Sequence, residues 1–367
     1  MQPSETSLML MARFVKELVR SGLARARTGT STTTTTTRIA ERFFFDLNSA
    51  TTQQKKNKEN LVLRFKFGAM MSSASSSSSC TREEVVEYEL RRYGAEGVGI
   101  GVITLSAPDR MNAFDAKMAN QFKTLVHRLE REVLGSTPKS KAPRALVLRG
   151  RGPAFCAGGD LGLLGEIARS DDLEGNARRL TELYASFLSI RRLKIPVVAA
   201  IHGYCVGGGA GIAVGCADVR VASRDTKLRF NFFRELGITP GMGTTAVLPA
   251  LVGPAEAAKL LFQVPRRDAS AEDLHRLGLA CEVTADRDSA FEAACAIAGG
   301  LGAANPVATS SYLGSLRVPR YEDLAGVLER EGEKQAKCFA SAHTRAVFKA
   351  IGERAGRRQG GGPAPKL

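Results

Sequence analysis

Tryptophan is absent from this 367-residue chain, an absence that by itself excludes no class of protein. Histidine is almost absent. His127, His202, His275 and His343 are the four present, and none stands beside cysteines and carboxylates at metal-ligand spacing. No metal site is expected. The seven cysteines are scattered without paired spacing, and their odd number argues against a disulfide framework and for a reducing compartment. Cys205 lies three residues from His202, the arrangement a nucleophilic thiol would need. No uninterrupted apolar run approaches the ~18 residues that a membrane-crossing helix requires, so no span is expected. Acidic residues are scarce in one stretch. Residues 1–82 hold 13 Lys and Arg against 5 Asp and Glu, which supplies +8 of the net +15. The body keeps a mild basic excess, which suits a phosphate-bearing ligand. Nucleic acid is the competing partner, but no basic run is interleaved with aromatics, so it is not expected.

Residues 1–83 read as a low-complexity extension rather than a domain. They contain Ser31–Thr37, Gln53–Lys58 and Ser72–Ser79, which cannot bury enough apolar surface to order. Within them Ala12–Arg27 can form a basic amphipathic helix like a mitochondrial presequence, while Met70 and Met71 are possible alternative starts. The other end, 358–367, is a flexible tail finishing in Pro365-Lys-Leu367, a variant of the peroxisomal Ser-Lys-Leu address. The two ends point to different organelles, and the acids Glu5, Glu17 and Glu41 tip the expectation toward the peroxisome.

From Glu84 the pattern becomes globular. Val85–Leu90 and Val98–Leu105 read as paired strands around Tyr93–Gly97. Further strands are expected at Arg144–Arg149, Pro196–Ile201 and Val219–Ala222, with helices at Asp115–Leu134, Asn176–Leu193 and Gly207–Cys216 between them. Alternating strands and helices predict an α/β fold with mostly parallel strands. Helices at Thr244–Leu251, Ala255–Phe262, Ser270–Leu277, Ser289–Gly300 and Tyr321–Ile351 complete the chain.

Two segments carry the chemistry: Gly150-Arg-Gly-Pro-Ala-Phe-Cys-Ala-Gly-Gly-Asp-Leu161 and Ile201-His-Gly-Tyr-Cys-Val-Gly-Gly-Gly-Ala-Gly-Ile212. Each follows a short apolar run and leads into sequence that can be helical. A strand ending in glycines before a helix leaves backbone N–H groups free and lets a ligand approach. Two such turns side by side would make a two-donor oxyanion hole.

Four ordered motifs resemble the crotonase superfamily, the enoyl-CoA hydratase/isomerase family. They are Ala154-Phe-Cys-Ala-Gly-Gly-Asp-Leu161, the Lys194–Gly209 strand and glycine turn, Ala107-Pro-Asp-Arg-Met-Asn-Ala113, and Leu236-Gly-Ile-Thr-Pro-Gly-Met-Gly243. The resemblance spans about 84–357. It implies a spiral of ββα units over 84–285 and a helical packing or oligomerisation region over 286–357. It also implies trimers or pairs of trimers, and an acyl-CoA substrate, with no cofactor beyond the coenzyme A that the substrate carries. It assigns one oxyanion N–H to Gly159 and, counting back from Asp218, the other to Gly209. It places Ala157 carbonyl on the adenine amine of coenzyme A, and Arg110, Met111 and Ala113 along the pantetheine and nucleotide path. Asp160 and Leu161 adjoin them, Asp160 as a cap or hydrogen-bonding group of its own turn.

Related hydratases carry one glutamate just after the second glycine turn and one just before Leu-Gly-x-x-Pro-Gly, a pair that can hold water and move protons. Here those positions fall on Ile212 and on Phe232 or Phe233. Glu235 is the nearest carboxylate, either catalytic or exposed beside Arg234, and Glu166 is either in the acyl pocket or a solvated helix residue. The expectation is an enzyme acting on an acyl-CoA through an enolate. The alternative is a non-catalytic homologue that binds CoA or RNA.

Overall fold

The computed structural model describes residues 84–135, 142–321 and 323–358, all within one compact unit that begins at Arg82. The low-complexity extension, the basic segment and the C-terminal tripeptide lie outside the described residues.

Strands β1 (Val86–Tyr93) and β2 (Val98–Leu105) form the expected hairpin, paired from Val86–Leu105 to Tyr93–Val98. Helix α1 (Ala116–Leu134) follows, with the Asp115 side chain accepting Met118 N–H at 2.8 Å as its cap. The chain then alternates between two sheets. It places β3 (Ala145–Gly150), β5 (Val197–Ile201) and β7 (Val219–Ser223) in one, and β4 (Ala154–Cys156), β6 (Tyr204–Val206) and β8 (Lys227–Arg229) in the other. Each step advances both sheets by one parallel strand, which gives a spiral of ββα units. Helices α2 (Leu161–Arg169) and α3 (Leu173–Leu188) join β4 to β5, and α4 (Gly208–Cys216) joins β6 to β7. After β8 come α5 (Thr244–Val252), α6 (Pro254–Phe262), β9 (Ala269–Ser270), α7 (Ala271–Arg276) and β10 (Glu282–Thr284). The sheet orders are β1-β2-β3-β5-β7-β10 and β4-β6-β8-β9.

The inner strands of the larger sheet, β2, β3, β5 and β7, are buried on both faces, which is why they read as mainly apolar runs. Ile103, Leu105, Leu146, Leu148, Val197 and Ala199 face the main core. Ile100, Val102, Ala145, Val147, Val198 and Val221 face α8 (Arg287–Ala303), whose Ala290, Ala294 and Ala298 let it lie close. The helical C-terminal region therefore starts by closing the core within this chain.

Three helix boundaries differ from the sequence expectation. The helix expected over Asn176–Leu193 is α3 plus a 3₁₀ turn, Ser189–Arg192. A helix not expected, α9 (Pro306–Tyr321), starts at an Asn-Pro pair, where Asn305 Oδ1 accepts Val307 and Ala308 N–H at 2.9 and 3.2 Å. The single segment expected to Ile351 is two helices, α10 (Leu324–Ala340) and α11 (Ala342–Arg358). Ser341 separates them, its Oγ accepting Thr344 N–H at 3.2 Å as a new cap.

Candidate active site

The two glycine turns meet. After β4 the chain turns at Gly158, whose φ of +97° is open to glycine and where a Cβ would lie 2.8 Å from Val206 O. Phe114 then pairs with Gly159: Phe114 N–H donates to Gly158 O at 2.8 Å, and Asp160 N–H donates to Phe114 O at 2.9 Å. In such a parallel bridge the middle residue's own N–H points the other way. Gly159 N–H accordingly finds no acceptor among the described residues.

The second turn pivots on Gly207 (φ +54°, ψ −120°), whose N–H donates to Arg229 O at 2.7 Å. The first intrahelical bond of α4 runs from Gly211 N–H to Gly207 O at 3.0 Å, which leaves the N–H groups of Gly208, Gly209 and Ala210 at an uncapped N-terminus. A Cβ on Gly208 would lie 3.9 Å from Gly159 N, and one on Gly158 would lie 3.4 Å from Gly208 N. A Cβ on Gly209 would instead lie 2.1 Å from Cys156 O, so Gly209 is where α4 packs on β4. The geometry thus sets Gly208 beside Gly159, one residue before the Gly209 reached by counting from Asp218. That count crossed the end of α4 at Cys216 and the extended residue Ala217, where helical register is lost.

The Arg110–Ala113 loop wraps this corner. Met111 and Asn112 adopt φ of +53° and +56°. Fully buried Asn112 holds the loop: its Oδ1 accepts Ala107 N–H at 2.8 Å and its Nδ2 donates to Arg151 O and Ala154 O, each at 2.8 Å. Ala157 N–H donates to Met111 O at 2.9 Å, while Ala157 O receives no donor among the described residues. Arg110 bridges Asp115 at 2.8 Å and Asp160 at 3.7 Å. Asp160 caps α2, accepting Gly162 and Leu163 N–H at 2.9 and 3.1 Å. Burial would raise the Asp115 pKa, but the Met118 N–H and the Arg110 guanidinium outweigh it and lower it. Arg110, Met111, Ala113, Ala157 and Asp160 therefore share one neighbourhood with Gly159, and Leu161 stands exposed at the start of α2.

No carboxylate occupies either expected glutamate position. Ile212 is fully buried in α4, and the one-residue shift that brings Gly208 beside Gly159 moves this position to Gly211, where a Cβ would meet Met242 and Thr244, so neither residue offers a carboxylate. The other position lies in a π-helical turn, Phe232–Leu236. Its wider winding is the physical basis of the Phe232/Phe233 ambiguity. Phe232 is buried, and Phe233 is exposed with its ring centroid 5.2 Å from that of Phe262. Glu235 is not out beside Arg234. It is half-buried, and its carboxylate accepts from Arg229 at 3.1 Å and Gln263 at 3.4 Å. Glu166 is exposed, 3.4 Å from Arg179.

The thiols of Cys156 and Cys205 are fully buried, which disfavours a thiolate nucleophile. Burial pushes Cys156 up to about 12 and Cys205 well above its ordinary value. His202 is held by Gly152 O at 3.0 Å, and burial lowers its pKa. No group of three metal-ligating side chains occurs among the described residues.

Sequence reasoning missed the residues that hold the Leu236–Gly243 motif. Buried Glu331 on α10 accepts Gly243 N–H at 2.7 Å and Thr245 N–H at 2.9 Å, capping α5. Gln335 donates to Thr239 O at 2.7 Å and accepts from Tyr184 hydroxyl at 2.5 Å. The only signal was a Glu/Gln pair at i,i+4 on an amphipathic helix, which reads as a solvated face.

The enoyl-CoA hydratase/isomerase family model matches residues 95–356. The Mycobacterium tuberculosis (strain H37Rv) protein named "Probable enoyl-CoA hydratase EchA14" is 37% identical over 188 residues, 51% of this chain and 67% of its own. Among solved structures, OdaA of Pseudomonas aeruginosa superposes with a TM-score of 0.61 at 24% identity, covering 73% of this chain and 99% of that one. An enoyl-CoA hydratase/isomerase of Mycobacterium paratuberculosis gives 0.60 at 25% identity, covering 72% and 98%. A spiral of ββα units, two abutting glycine turns and a family match over most of the described residues give one conclusion: the chain belongs to the enoyl-CoA hydratase/isomerase family of the crotonase superfamily.

Proposed function

We propose that this protein acts on an acyl-CoA thioester whose carbonyl oxygen is held by the N–H groups of Gly159 and Gly208, stabilising the enolate formed at Cα. The observation that carries this reading is the free Gly159 N–H, aimed away from its bridge with Phe114, beside the uncapped N-terminus of α4. Donors preorganised in this way favour the charge that develops on oxygen during reaction and need no reorganisation to do so. Arg110, Met111, Ala113 and Ala157 line the path of the coenzyme, with the Ala157 carbonyl available to an exocyclic amine. Asp160 serves that path indirectly, by capping α2 and anchoring Arg110. Glu235, held by Arg229 and Gln263, fixes the π turn.

The side chains at the glutamate positions cannot move a proton. Hydration of crotonyl-CoA is therefore expected to be slow or absent, and a rate like that of a two-glutamate enzyme would overturn this account of Ile212 and Phe232/Phe233. Incubation with a panel of acyl-CoAs, each followed by mass, tests the wider proposal. Water addition, loss of carbon dioxide and loss of CoA are separately visible. The missing carboxylates also favour a second reading, a CoA-binding homologue without turnover. Saturable CoA binding with no mass change on any thioester would establish that reading over the first.

The exposed apolar residues Val307 and Tyr312 of α9 support self-association, as trimers or hexamers. Light scattering is expected to give a multiple of the 39.2 kDa chain, and a monomer mass at micromolar concentration would remove this part of the proposal.

A further inference from the structure

At the opposite end of β4 from Gly159, a cavity of about 220 Å³ opens between the β3–β4 and β5–β6 corners and the first turn of α8. It holds several times the ~30 Å³ share of one water. Three arginines reach it, Arg149, Arg151 and Arg287, against a single lining carboxylate, Asp288. Arg151 is paired with Glu87 and Arg287 with Asp288, but no carboxylate pairs with Arg149 among the described residues. Arg149 is the last polar residue of β3 and is half-buried. Its Nε donates to Thr104 Oγ1 at 3.1 Å, and its guanidinium lies 4.0 Å from the Phe291 ring centroid. That leaves its two terminal nitrogens, which carry four N–H donors, without an acceptor among the described residues.

A fourth arginine, Arg91, approaches the same Phe291 ring at 5.0 Å and is itself paired with Glu89 at 3.0 Å. Burial, followed by the charge of Arg91, pushes the Arg149 pKa down, and Cys295 and Glu89, which act in the opposite sense, do not cancel it. Arg287 Nη1 donates to Gly152 O at 3.3 Å, which ties the rim of the cavity to the β3–β4 turn. His202 donates its Nε2 hydrogen to the same carbonyl in its neutral form, leaving Nδ1 able to accept from a protonated ligand oxygen.

We propose that this cavity is an anion site for a phosphate group, bound chiefly by the Arg149 guanidinium and flanked by Arg287. A planar guanidinium stacked on an aromatic ring presents its edge to a tetrahedral oxyanion and binds it through two parallel hydrogen bonds. The site is separate from the glycine turns, since β4 runs between them. It shares with them the β3–β4 turn, to which Asn112 also bonds through Arg151 O.

Titration with inorganic phosphate at constant ionic strength, read by calorimetry, tests the site. Saturable binding is expected, weakened tenfold or more in Arg149→Gln and several-fold in Arg287→Gln. Arg287 has a half-exposed side chain, so its variant keeps the test open if Arg149→Gln fails to fold. Asp288→Asn removes the one lining carboxylate and is expected to tighten binding, an opposite sign that structural damage would not produce. Absence of saturable binding to the wild-type protein, or equal affinity across Arg149→Gln, Arg287→Gln and Asp288→Asn, would overturn the proposal.

Discussion

Replacing Gly159 with proline is expected to lower turnover about 10²–10³-fold, the usual effect of deleting one oxyanion donor. Proline removes the N–H while sparing the two bonds that fix the turn, which use Gly158 O and Asp160 N–H. Gly159→Ala is the control, since it keeps the donor and its Cβ would meet Leu164 Cδ1 at 3.2 Å, a contact that a leucine can relax. The substrate is whichever acyl-CoA the mass panel identifies, and a melting curve establishes that each variant is folded. A folded Gly159→Pro protein with normal turnover would remove Gly159 from the reaction. The corresponding changes at Gly208 and Gly209 are less informative. A Cβ there would lie 2.6 Å from the Phe114 ring or 2.1 Å from Cys156 O, so folding would suffer first.

The largest loss of stability is expected at Asp218. Its carboxylate is buried between Arg191 at 2.9 Å and Arg317 at 2.6 Å, and it also accepts Val197 N–H at 2.9 Å. Arg317 in turn donates to Arg191 O, Leu193 O and Ile195 O, fastening α9 to the segment that enters β5. Asp218→Ala leaves two guanidinium groups buried without their counter-charge, which costs about 3–5 kcal/mol. For a domain of this size that is a fall in Tm of roughly 6–20 °C, measured at fixed protein concentration. A Tm within a degree or two of wild type would show that water or another group replaces the carboxylate.

The pH dependence follows in sign. Burial would raise the Asp218 pKa, but the Arg317 hydrogen bond and the charges of Arg191 and Arg317 lower it below its ordinary value. The folded state therefore binds this proton less readily than the unfolded chain does. Its contribution is fully present above the unfolded value of about 3.9 and is lost as pH falls through the lower folded value. Asp218→Asn is expected to lower stability at neutral pH and to flatten that part of the acid-unfolding curve. An acid limb as steep as wild type's would assign the loss to other carboxylates.

Local order in the sequence determined a good deal of this protein. Two β-rich segments on either side of the Tyr93–Gly97 turn set the β1–β2 hairpin, and apolar runs leading into glycine segments set β3 and β5 with their turns. Asp115 and Asp160 marked the starts of α1 and α2. The four motifs were enough to indicate the family, because backbone N–H donors depend on turn shape, and turn shape is written in nearby glycines.

Contacts between distant segments were decided by the tertiary structure alone. Which glycine faces Gly159 depended on how α4 seats against β4, and a residue count through a helix end does not carry that register. The partners of Glu235, Glu331 and Asp218 lie on elements up to 99 residues away, so no local pattern distinguished them from solvated charges. The Arg149 cavity arose in the same way. Strands β3 and β5 and helix α8 are remote in sequence, and only the folded spiral brings their cations to one place.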